Sequence, residues 1–140
     1  MSKHHCISAI LLLFSFLCYS CHNEDNNNIT DQRSVNIIVQ YKNQEGLHID
    51  YGAKIFIYYG IYSMDIAGFT YSPNGILVYG NKEITPNIRT IVQKENTLLE
   101  ISNKEKVTII TESFYHKGRT TADSFSPNDM PIKMNLTFEE

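Results

Sequence analysis

From Ser34 onward, apolar residues recur at every second position in short runs, and Gly, Pro, Asn or Asp stands between the runs. This period of two places successive side chains on opposite faces of an extended backbone, so each run can bury one face while wetting the other. "VNIIVQY" (35–41) sets Val35, Ile37, Val39 and Tyr41 on one face, and "KNQEG" ends it with a turn at Gly46. "AKIFIYYG" (53–60) aligns Ala53, Ile55, Ile57 and Tyr59, while Phe56 and Tyr58 give it a second apolar face. A strand of that kind is expected to be covered on both sides.

The remaining runs continue the pattern. "GFTYSPNGILVYG" (68–80) predicts a hairpin, because Asn74-Gly75 supplies the positive φ of a tight primed turn. "NIRTIVQKENTLLEIS" (87–102) predicts a second hairpin around Lys94–Asn96, and Thr97 and Ile101 favour a strand over a helical turn there. "KVTIITESFYHKG" (106–118) is the longest strand candidate, with Val107, Ile109 and Thr111 alternating. "TADSFSPND" (121–129) is expected to be a polar loop, and "PIKMNLTF" (131–138) to close the fold with Ile132, Met134, Leu136 and Phe138 facing one way. No stretch carries the 3.6-residue stripe of an amphipathic helix. Nine Tyr, seven Phe and no Trp agree with half-buried pleated surfaces.

Residues 34–140 are therefore expected to be all-β, an antiparallel β-sandwich of seven to eight strands. The stretch "EGLHIDYGAKIFIYYG", the long penultimate strand and the alternating last strand resemble transthyretin-like and carboxypeptidase-regulatory-like domains. An immunoglobulin-like strand order is the other expectation, without the disulfide and Trp of antibody domains.

The N-terminus differs from all of this. Lys3, His4 and His5 precede a charge-free run from Ile7 to Tyr19. A spanning helix needs about 20 apolar residues to cross the hydrocarbon core, so this run is too short for a transmembrane anchor. It fits instead the helical h-region of a secretory signal peptide. At its end, "LCYSC" (17–21) resembles a bacterial lipobox, with Ser20 as the small residue and Cys21 as the lipidated one. Cys18 and Tyr19 depart from the usual pattern. "CHNEDNNN" resembles the polar tract after the lipidated cysteine of Bacteroidetes outer-membrane lipoproteins, and Glu24 and Asp25 resemble their surface-export acids. The implied organisation is a signal peptide at 1–20, a polar tether at 21–33 and the sandwich at 34–140. The resemblance implies attachment to the outer membrane, on its periplasmic or cell-surface face. Acyl chains contribute about 0.8 kcal/mol per buried methylene, so a multiply acylated Cys21 would anchor durably. Twelve flexible residues, His22 to Arg33, span roughly 20 Å.

Chemistry is sparse in the rest of the chain. The formal charge of −3 and scattered basic residues give no footprint for nucleic acid. No nucleophile elbow or glycine-rich phosphate loop is present. No cofactor, catalytic residue or metal ligand is assigned, so the chain is expected not to be an enzyme. His48-Ile49-Asp50 and His116 are the residues a small metal protein or enzyme would use. Crowded tyrosines offer a binding surface for a protein or glycan, with Tyr58, Tyr62, Tyr71 and Tyr79 as its candidates. Asp123-Ser124 resembles the start of a Bacteroidetes glycosylation site, from which Phe125 departs. The expected function is a lipid-anchored, non-enzymatic binding or structural module of the cell envelope. The alternative is an accessory lipoprotein of a secretion machine, since type VI lipoproteins also carry a transthyretin-like sandwich.

Overall fold

The alternation at 35–41 organises the molecule. In a computed structural model, which describes residues 31–63 and 69–140, it lies within the longest strand, β1 (Gln32–Asn43). Val35, Ile37 and Val39 are fully buried along one face of it. Ten further strands follow: β2 (Gly46–Ile49), β3 (Lys54–Tyr59), β4 (Phe69–Tyr71), β5 (Leu77–Tyr79), β6 (Lys82–Ile84), β7 (Ile88–Ile91), β8 (Thr97–Ser102), β9 (Val107–Glu112), β10 (Thr120–Phe125) and β11 (Lys133–Phe138). The described residues are all-β and contain no helix.

Three sheets result. In sheet A, one edge of β1 pairs in parallel with β11 over Asn36–Tyr41. Its other edge is shared by two antiparallel partners, β8 along the N-terminal half and β2 along the C-terminal half. Sheet B has the order β10-β9-β3-β7, all antiparallel. Sheet C is the meander β4-β5-β6.

One apolar cluster joins the first two sheets. Val35, Ile37, Val39, Ile101, Met134, Leu136 and Phe138 come from sheet A, and Ile55, Ile57, Val107 and Ile109 from sheet B. The other face of sheet B forms a second cluster, in which Phe56, Tyr58 and Ile110 meet Leu77 of sheet C. This is why the run 53–60 is apolar on both faces: β3 lies between two cores. Burial of this kind contributes roughly 25 cal/mol per Å² of apolar surface.

Several expectations need correction. The described residues hold eleven strands in three sheets. The segment 87–102 is a crossover and not a hairpin, since β7 pairs with β3 in sheet B and β8 with β1 in sheet A. Val92 is exchanged into the β3 side through Val92 N–H to Ala53 O and Gly52 N–H to Val92 O, both 2.8 Å, before exposed residues lead across. Two strands that feed one core from opposite sides have the same alternation as two strands of a hairpin, so the pattern cannot separate them. The turn at Asn74-Gly75 is a five-residue connection, closed by Gly75 N–H to Ser72 O at 2.8 Å. Gly75 does take φ +77°, and a Cβ there would come within 2.4 Å of the Phe56 ring. The longest strand is β1, because β9 stops at Glu112 and "SFYHKG" turns. Half of the expected polar loop is the edge strand β10, which needs no apolar face because it lies at the sheet margin. Ile132 is exposed, ahead of the first ladder pair of β11.

Candidate functional site

Both sheets A and B end in turns where β1 finishes. The β1–β2 turn, the 50–53 link and the β9–β10 turn gather there, since Lys54 pairs with Glu112 and Tyr41 with His48. The opposite end holds the start of β1, where Asn103 N–H donates to Asp31 O at 2.8 Å and Lys104 pairs with Asp31 at 2.5 Å. The described chain therefore begins at the end away from these turns.

Asp50 fixes the turn end. Its side chain is buried, and its two carboxylate oxygens accept hydrogen bonds from Ser113 Oγ at 2.5 Å and Tyr115 N–H at 3.2 Å. Ser113 Oγ in turn accepts from His116 N–H at 2.9 Å. A carboxylate acceptor makes these bonds stronger than neutral ones, so the link after β2 and the turn after β9 are held as one unit. The ring of Tyr115 is thereby set in a stack on Tyr41, centroids 3.8 Å apart and planes at 6°. His48 stacks on Tyr41 at 5.3 Å, and His116 stands edge-on to Tyr115 at 5.0 Å. Phe114 lies over Gly52, whose φ of +88° and lack of a Cβ give the ring its seat. Tyr51, Phe114, Tyr115 and Leu47 leave about half or more of their surface in solvent.

A groove of about 430 Å³ opens beside the stack, lined by Tyr41, Asn43, Gln44, Glu45, Tyr115 and Glu140. Asn43 Oδ1 accepts from Glu45 N–H at 2.9 Å, which shapes the turn forming one wall. Another groove, of about 590 Å³, runs between Ile61–Ser63 and the small side chains Thr120, Ala122 and Ser124 of β10, with Asp123 at its margin.

The residues singled out from sequence separate in space. Cys21 lies outside the described residues, as does the segment expected to be a helical signal peptide. Tyr58 is fully buried and donates its hydroxyl to Gly75 O, so it belongs to the core and not to a surface. Burial pushes its phenol well above the ordinary tyrosine range, against a smaller opposing effect of the Arg89 charge. Tyr62 is half-buried and packs edge-on against Tyr58 at 6.1 Å. Tyr79 is exposed on β5, and the backbone of Tyr71 pairs with Leu77 on β4. Tyr58 is thus withdrawn from any exposed surface, whereas Tyr79 stays exposed.

His48, Asp50 and His116 do come to one end of the molecule, but not as ligands around a point. The Asp50 carboxylate is taken up by Ser113 and Tyr115, and both imidazoles pack against Tyr41, their Nε2 atoms buried without a partner in the chain. Among the described residues no group of three or more His, Cys, Asp or Glu side chains is arranged to hold a metal ion. Sequence reasoning missed Tyr41 and Tyr115 as a pair. They lie far apart in the chain, and "FYHKG" reads as the end of a strand until Asp50 is seen to bend it. No family model, curated protein or solved structure matches the chain.

Proposed function

We propose that the protein is a lipid-anchored, non-enzymatic binding or structural module of the bacterial outer membrane, attached through Cys21. The observation that carries this reading is the run of residues 11–28, in which an apolar segment, "YSC" and a polar tract follow one another in the order of a lipoprotein leader. The placement of the first strand supports it. β1 begins at Gln32, so ten residues, 22–31, lie between Cys21 and the fold. A flexible chain of that length spans roughly 17 Å, enough to hold a domain just clear of lipid headgroups.

Within this reading, sheets A and B are the two leaves of a transthyretin-like β-sandwich and sheet C is a flap added to the outer face of one leaf. The end bearing the start of β1 then faces the membrane, and the aromatic end faces away. Cys21→Ser tests the anchor: the variant is expected to leave the membrane fraction and to lose incorporation of labelled palmitate. A variant that still fractionates with the membrane and still takes up label would refute the assignment.

A further inference from the structure

The groove beside the Tyr41–Tyr115 stack has a consistent chemical character. Tyr41, Asn43, Gln44, Glu45, Tyr115 and Glu140 line it, and no Lys, Arg or His does. Two cations near it are engaged at Glu139. Lys42 pairs with Glu139 at 3.4 Å, and Arg119 donates to the Glu139 carbonyl. The walls thus offer two acidic residues and the half-exposed ring of Tyr115 together, with Tyr41 stacked behind it, and carboxylate with aromatic face is how proteins recognise guanidinium and ammonium groups. They are also set in advance: Tyr115 is fixed through Asp50, and the Asn43–Glu45 turn through its own hydrogen bond. A fixed site loses less entropy on binding.

We propose that this groove receives an arginine or lysine side chain presented by a partner protein. The proposal rests on the binding-module reading and gives it a site; it does not depend on how the chain is anchored. Exposed Tyr51, Phe114 and Leu47 at the same end supply the apolar contact area that would flank such an inserted cation in an interface.

The test uses the full chain and N-acetyl-arginine methylamide, with the citrulline analogue as its neutral isostere. Tyrosine-ring resonances are followed by NMR as each is added. The arginine probe is expected to give saturable shifts at Tyr41 and Tyr115, with the citrulline probe at least fivefold weaker. E45Q/E140Q, which alters two exposed carboxylates, is expected to weaken binding at least fivefold without changing thermal stability, and Tyr115→Ala to abolish it. Spermidine, a free cation of the same chemistry, is expected to bind no more tightly than the arginine probe. The proposal is overturned by equal binding of the citrulline probe, by unchanged binding in E45Q/E140Q, by tighter binding of spermidine, or by no saturation up to about 50 mM. Each of these outcomes leaves the palmitate result on Cys21 unaffected, so the two readings fail separately.

Discussion

Replacing Gly75 with Ala tests how sheet C is seated on sheet B. Gly75 has φ +77°, and the new Cβ would stand 2.4 Å from Phe56 Cδ1 and 2.8 Å from its Cγ. Left-handed backbone costs a residue with a Cβ about 1–2 kcal/mol. Forcing an extra methyl into a packed site costs about 1–3 kcal/mol more. The change should therefore destabilise by about 2–5 kcal/mol. Gly80→Ala is the matched control, since Gly80 has φ +61° in the same sheet but a Cβ there would meet nothing within 4 Å. It should lose only the backbone share, about 1–2 kcal/mol. Urea unfolding of both variants, followed by circular dichroism, gives the two values. In a Phe56→Leu background the cost of Gly75→Ala should fall towards that of Gly80→Ala, because residues in contact do not behave additively. If Gly75→Ala costs no more than Gly80→Ala, sheet C is not packed on Phe56 as described.

Other predictions address the rest of the fold. Asp50→Ala should cost about 3 kcal/mol, because Ser113 Oγ and Tyr115 N–H lose a buried charged acceptor; faster hydrogen exchange at Tyr115 would accompany it, and unchanged exchange there would contradict it. Ile37→Ala, at a fully buried position of β1, should cost about 2–5 kcal/mol by urea unfolding. Tyr58 should keep its proton in an ultraviolet titration after the exposed tyrosines have ionised, since burial disfavours its phenolate. Its folded pKa is raised, so its contribution to stability is intact below the ordinary tyrosine value and is lost as pH rises beyond it. Tyr58→Phe should remove that late step from the titration.

How much of this could be read from the chain depends on what each pattern encodes. Alternation at Val35–Tyr41 and the two-faced run at Ile55–Tyr59 were legible because burial on one or both faces is written directly into the period. Partner choice was not. The ladder of β7 with β3 and of β8 with β1 leaves no mark on residues 87–102, since both strands point alternate residues into the same core. β10 has the sequence of a loop because an edge strand with Thr, Ala and Ser on a face carries no apolar signal. That His48 and His116 both pack against Tyr41, and that Asp50 is taken up by Ser113, depends on tertiary placement that no local pattern carries. Crowding of tyrosines in sequence suggested one surface, but Tyr58 is drawn inward by the second core.

The central claim concerns what Cys21 becomes, and mass spectrometry of the mature N-terminus tests it most directly. Protein extracted from membranes is digested and its first peptide identified. The account predicts a peptide that begins at Cys21, continues into "HNEDNNN" and carries the added mass of a diacylglyceryl group and an amide-linked acyl chain. A mature chain that begins elsewhere, or an unmodified Cys21, would contradict it.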